Sequence, residues 1–122
     1  MMRALIVKEP WVSMILKGEK TWEIRGSNSL IRERIGLIRG GSGQVVGTVE
    51  LVDSIGPLSR DELLANEDKH RVPPSRVRSI AYKNVYAWVL KNPRALRRPI
   101  SYAHPPGAQM WVKVPDIHED RA

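Results

Sequence analysis

Hydrophobic and polar positions along the chain change period several times, and each change marks an element. Met2 to Val7 is rich in Leu, Ile and Val with weak alternation, which predicts a short first strand ending at Lys8. Pro10 then suits a first helical turn, where its missing N–H costs nothing. Trp11, Met14 and Ile15 fall at i, i+3 and i+4 and build one apolar helix face, and Gly18 suits the left-handed cap that closes a helix. The pattern predicts a short helix over Pro10 to Lys17. From Thr21 to Arg25 the period falls to two. Trp22 and Ile24 share one face and Thr21, Glu23 and Arg25 the other, so the aromatic face is expected to meet the core. Lys20 sits at the turn before strict alternation begins, and its ammonium is free to swing toward Glu23.

Gly26 to Ser29 reads as a turn or loop, Arg34 to Arg39 as a strand, and Gly40 to Gly43 as a flexible turn into a second strand from Gln44 to about Val52. That glycine cluster is a hairpin turn rather than a phosphate loop, because no Lys-Ser/Thr pair opening a helix follows it. Glu50 is a charge on a mostly apolar segment, facing either the site or solvent at a sheet edge. Gly56-Pro57 ends the strand. Ser59 with Glu62 three residues later matches a capping box for a helix through Ala65. Asn66 to Pro74 reads as a polar turn, Ser75 to Ala81 as a short helix and Val85 to Leu90 as a strand, resumed over Arg94 to Ile100 after an Asn92-Pro93 interruption. His104 to Gly107 is a rigid loop, Met110 to Val114 the last strand, and Pro115 to Ala122 a frayed tail. The expectation is one domain over 1–114 with a tail over 115–122. Its fold class is α+β: a small curled β-barrel of about five to six strands with two or three short helices.

Composition narrows the chemistry. A chain of 122 residues with 42% hydrophobic and 27% charged positions suits one folded core. With no cysteine, disulfides, thiolate zinc sites and a cysteine nucleophile are excluded. No apolar run approaches the roughly 18 residues of a membrane span and the N-terminus lacks a signal peptide's apolar stretch, so a cytoplasmic setting with no membrane partner is expected. A net charge of +7 makes a polyanionic partner plausible.

Lys20, Glu23 and Arg25 concentrate three charges around one turn. Arg offers a planar fork suited to phosphate or a base edge, Lys a mobile point charge, and Glu an acceptor for an exocyclic amine or imino N–H. They can floor a pocket for a nucleobase or nucleotide, or simply form a salt-bridged turn. Trp11 and Tyr102 each neighbour a predicted turn and are candidate stacking platforms for unpaired bases. Trp22, Trp88 and Trp111 lie in apolar strand contexts and read as core. His70, within Glu67 to Arg71, is either a general acid or base beside carboxylates or a solvated surface histidine. His104 and His118 are too scattered for a metal-ligand spacing, so neither a metal nor another cofactor is expected.

Gly18, Lys20, Glu23 and Arg25 form a Gly-x-Lys-x-x-Glu-x-Arg pattern that resembles the signature of the ASCH family, whose fold is related to the PUA RNA-binding domain. The order of elements is similar from about Ala4 to Val114, and Tyr86 to Val89 and Gln109 to Val112 resemble the family's strand sequences. The resemblance implies a PUA-like domain that binds single-stranded RNA, a nucleotide or a modified nucleoside in a cleft lined by Lys20, Glu23 and Arg25. Trp11, Tyr102, Glu67 and His70 are further ligand-facing candidates, and the monomer is the default state. One branch of the family resembles small amidohydrolases acting on N-acetylated cytidine, with a Lys at the position of Lys20, a Thr nucleophile three residues later and a Glu in the helical insertion. Here the nucleophile position is Glu23, Thr21 has the wrong spacing, and Glu67 is a loose counterpart of the insertion carboxylate. The alternative reading is therefore a hydrolase of an N-acylated nucleoside, or a ribonuclease, using Lys20 and Glu23.

Overall fold

The computed structural model describes residues 1–117, so positions 118–122 of the expected tail, His118 among them, lie outside the described residues. The chain forms β1 (Met2–Val7), α1 (Trp11–Leu16), β2 (Trp22–Arg25), β3 (Glu33–Arg39) and β4 (Gln44–Ile55). A helical insertion follows, α2 (Arg60–Ala65), α3 (Glu67–His70) and α4 (Pro74–Val77), before β5 (Tyr86–Ser101) and β6 (Trp111–Val114). The strands make one mixed sheet in the order β2-β5-β4-β3-β1-β6, in which β1 runs parallel to β3 and the other pairs are antiparallel. The fold is α+β.

The sheet curls strongly. In a flat sheet β2 and β1 would stand about 19 Å apart, four strand spacings, yet the Arg25 side chain on β2 donates to the Ile6 carbonyl on β1 at 2.9 Å. On the same side of the curl Trp88 of β5 stacks on Trp111 of β6, with ring centroids 5.8 Å apart. No ladder joins β2 to β1 or β6 among the described residues. The expected barrel is thus an unclosed curled sheet, and a side chain rather than a backbone ladder spans its seam.

The main core lies inside the curl, where Leu5, Val7, Ile35, Leu37, Val49, Leu51 and Trp88 pack against Val12 and Ile15 of α1. Gly47 lets α1 approach the sheet: a Cβ there would fall 2.7 Å from the Arg94 carbonyl and also strike Leu16. Register places Glu23 opposite Trp88 and Arg25 opposite Tyr86, so the charged face of β2 is the one turned toward this core. Ile24, on the opposite face, packs on a separate cluster of Leu63, Val77 and Val85 in and after the insertion. Trp22 is buried as expected, but away from the main core, because β2 is covered on both faces.

The insertion explains this cover. Ser59 and Glu62 form both halves of the capping box, at 3.0 and 2.9 Å, and start α2 as predicted. The stretch expected as a polar turn contains α3, closed by Arg71 in the left-handed conformation at φ 66°. The helix expected over Ser75 to Ala81 is the shorter α4. β5 is continuous where an interruption at Asn92-Pro93 was expected. Both residues fall in a register shift between Lys91↔Glu50 and Arg94↔Thr48, where proline's missing N–H deletes no ladder bond. No helix among the described residues is long and apolar enough to cross a membrane.

Candidate functional site

The turn after α1 positions the first charge. Gly18, at φ 78°, ends the helix with its N–H on the Ile15 carbonyl, and Lys20 follows before β2 begins. The Lys20 side chain is 1% exposed. Its ammonium donates to the His70 carbonyl at 2.6 Å, stands 3.6 Å from Glu23 Oε1, and lies 4.9 Å from the centre of the Trp11 ring. Burial pushes the Lys20 pKa below the ordinary lysine value; the Glu23 charge opposes that shift and the Arg25 charge adds to it.

Two residues on, β2 turns Glu23 and Arg25 to the same side. Arg25 Nε and Nη2 both donate to Glu23 Oε2, at 3.0 and 2.7 Å, while Nη2 also reaches Ile6. The guanidinium carbon lies 5.7 Å from the centre of the Trp88 ring. Glu23 thus sits between two cations, with Oε1 keeping acceptor capacity for an added donor, and Nη1 of Arg25 makes no hydrogen bond among the described residues. These groups are held in place before any ligand arrives.

They floor a cleft of about 570 Å³ between two walls: Lys8 to Trp11 on one side, Arg76 and Ile80 to Tyr82 on the other. Trp11 carries the Arg76 guanidinium 5.8 Å from its centre as well as the Lys20 ammonium, so its ring already holds two cations. Tyr82, in the cleft lining, is 48% exposed and packs closely on Gly26, where a Cβ would stand 2.6 Å from its ring. Glu9, in the first wall, accepts from both Ser13 N–H (3.1 Å) and Ser13 Oγ (2.6 Å), supplying a side-chain anchor to α1. The Ser13 hydroxyl bond is the main cause of a lowered Glu9 pKa, with Arg39 nearby adding to it.

Of the candidates read from the sequence, Lys20, Glu23, Arg25 and Trp11 converge on this cleft. His70 does not present its ring there. It is fully buried, its Nδ1 accepting from the Val72 N–H at 2.9 Å and its Nε2 2.6 Å from the Leu63 carbonyl, which places the ring proton on Nε2. Neither a solvated histidine nor a free acid or base fits this geometry: the ring pins the insertion, and only its carbonyl serves the site. Glu67 is an exposed residue in the first turn of α3, outside the cleft lining. Tyr102 lies beside the β3–β4 turn, its N–H on the Gly43 carbonyl and its hydroxyl 2.8 Å from His104 Nδ1, with a pKa raised by burial. Arg76 and Tyr82 were not singled out from the sequence. No local pattern marks them, because their place in the wall depends on how the insertion folds back over β2.

Glu50 belongs to a second charged cluster. Arg34 donates to Glu50 Oε1 at 3.3 Å, to Thr48 Oγ1 at 2.9 Å and to the Asn92 carbonyl at 3.0 Å, and Asn92 Nδ2 donates to Glu50 Oε2 at 3.1 Å. Among the described residues no group of three or more His, Asp or Glu is arranged to hold a metal ion.

A family model described as the ASCH domain matches residues 5–100. Among solved structures, the ASCH protein of Zymomonas mobilis superposes with a TM-score of 0.73 at 17% identity, covering 91% of this chain and 87% of that one. Two single-residue variants of the same protein give TM-scores of 0.71 and 0.72 at 19% and 18% identity, over 91% of this chain and 87% and 89% of theirs. At that identity the likeness establishes the fold. Among curated proteins none matches.

Proposed function

Because the chain belongs to the ASCH domain family, we propose that it binds RNA, holding one unpaired nucleotide in the cleft floored by Lys20, Glu23 and Arg25. The observation that carries this reading is the fixed charge arrangement on the floor: Glu23 Oε1 has capacity left for a base N–H, and Arg25 Nη1 has donors for phosphate or a carbonyl edge. The ions are already desolvated and oriented, so a ligand meets donors that need little reorganisation. Tyr82, exposed in the cleft lining, supplies a face on which a base can stack, a role the sequence reading gave to Trp11 and Tyr102. Trp11 instead serves to hold the two cations.

The test is a titration of the full chain with labelled single-stranded RNA and with single nucleotides at low salt. Tyr82→Ala is expected to weaken binding about tenfold, in line with roughly 1–3 kcal/mol per stacked base, and Arg25→Ala at least as much. Affinity unchanged in both variants would overturn the reading.

A second reading, hydrolysis of an N-acylated nucleoside or of RNA by Lys20 and Glu23, draws on one observation: the buried Lys20 ammonium stands 3.6 Å from Glu23 Oε1 at the cleft, a pairing able to handle a proton, and burial lowers the Lys20 pKa. Turnover of acylated cytidines or labelled RNA that is abolished in Lys20→Met would favour it; turnover that survives the substitution would assign the activity elsewhere.

A further inference from the structure

The charge of this chain is distributed unevenly. From Lys69 to Pro115 there is no Asp or Glu, while Lys and Arg recur throughout, so this stretch alone carries more than the net charge of +7. Part of it, including Arg76, lines the cleft. Another part lies on β5, where Lys91, Arg94, Arg97 and Arg98 are all exposed. The β2–β5 ladder covers Tyr86–Val89 and a bond from Leu90 to Thr21 extends it, so from Lys91 onward that side of β5 has no strand partner among the described residues.

Its shape is unusual for an edge. From Lys91 onward the register opposite β4 jumps twice, placing Asn92 and Pro93 against Val49, and Leu96 to Pro99 between Ala95↔Gly47 and Ile100↔Val45. The second jump holds Arg97 and Arg98 out from the sheet, and neither forms an ion pair among the described residues. The edge also begins at the cleft. The Leu90 N–H donates to the Thr21 carbonyl at 2.8 Å, and Thr21 is the residue after Lys20.

We propose that the free edge of β5 from Lys91 to Arg98 is a phosphate-tracking surface for single-stranded RNA that runs out of the cleft. The proposal rests on the reading that the cleft holds a nucleotide and adds the route of the rest of the strand. Leu90 to Arg98 lies opposite Leu51 to about Val46 of β4, so after the bulges the edge rises on the order of 17 Å at about 3.3 Å per partner residue, a length suited to the short end of the roughly 4–16 nucleotides covered by small single-strand-binding domains. Edge protection is the simpler explanation for charge and proline at such a position, since both deter pairing with a second sheet. That need is met by either sign of charge. Here Lys91, Arg94, Arg97 and Arg98 are all positive; Glu50 of β4 faces Lys91 and accepts from Asn92 at the cleft end, so the Arg97 and Arg98 end is the part best suited to concentrate phosphate. Arginine adds a fork matched to phosphate oxygens.

The full chain is titrated with single-stranded RNA of about twelve nucleotides and with a trinucleotide, over a series of salt concentrations. Replacing both Arg97→Ala and Arg98→Ala is expected to weaken the longer RNA about tenfold and reduce the magnitude of the salt slope by about 1.4, two phosphates at roughly 0.7 each. Binding of the trinucleotide stays unchanged, and the charge-preserving pair Arg97→Lys and Arg98→Lys keeps the slope. An unchanged slope in the alanine pair, with Arg25→Ala still weakening both ligands, overturns the edge and leaves the cleft standing. The reverse result, loss in the alanine pair with no effect of Arg25→Ala, leaves the edge standing and overturns the cleft. Equal loss with duplex RNA overturns the single-strand route, and no binding of any RNA at low salt overturns both.

Discussion

Arg25 with Glu23 and Arg34 with Glu50 are the same two side chains placed in opposite settings. The first pair is nearly closed off from water, with side chains 12% and 8% exposed, while the second has 22% and 39%. In the first, Arg25 donates twice to one carboxylate oxygen and once across the seam, and Lys20 stands on the other side of the carboxylate. In the second, Arg34 spreads its donors over partners that include Thr48, Glu50 and the Asn92 carbonyl. Burial turns the first pair into a fixed feature whose parts cannot be removed singly without leaving a bare charge. Exposure leaves the second pair to compete with water. An arginine and a glutamate in contact therefore say little until solvent access is known.

The largest test of this contrast removes the carboxylates. Glu23→Ala leaves two buried cations facing each other and is expected to cost about 3–5 kcal/mol in urea unfolding, whereas Glu50→Ala is expected to cost under about 1 kcal/mol. Equal losses would break the comparison. A smaller effect comes from changing fork to point charge. Arg25→Lys cannot donate to both Glu23 and Ile6 in the same geometry and is expected to cost about 2 kcal/mol, against about 0.5 kcal/mol for Arg34→Lys. Folded variants with indistinguishable urea midpoints would show that the seam does not depend on the guanidinium. The smallest effect is a pH slope. Burial lowers the folded-state pKa of Lys20 from 10.5, so between that lowered value and 10.5 the unfolded chain binds more protons. Stability contributed at this residue therefore rises with pH through that window. In Lys20→Met the slope disappears, and the difference in unfolding free energy between parent and variant should grow as pH is raised; a flat difference would mean that the ammonium is solvated.

Much of the fold could be read from local signals. The capping box started α2 where Ser59 and Glu62 placed it, Gly18 closed α1, and the Gly40 to Gly43 turn joined β3 to β4. Three of the cleft's charges and one wall aromatic were also visible, because Lys20, Glu23, Arg25 and Trp11 lie within fifteen residues of one another. What could not be read depended on long-range packing. The alternation in β2 separated its faces correctly, yet the charged face turned toward the main core because the insertion supplied a second apolar cover for Ile24. His70 looked solvated from its polar neighbours, but two backbone groups of the insertion satisfy both ring nitrogens and permit full burial. Pro93 suggested a break only if its N–H were needed, and a register shift made it unnecessary.

The bond from the Lys20 ammonium to the His70 carbonyl joins the cleft floor to the last residue of α3. The cleft keeps its depth only while that short helix stays seated, and the helix is seated partly on a side chain of the cleft. Opening of the insertion would flood Lys20 with water and widen the cleft in one event. The Val72 amide, whose hydrogen bond to the His70 ring breaks in the same opening, is accordingly a built-in clock for how often the site comes apart: its exchange rate with deuterated solvent counts those events.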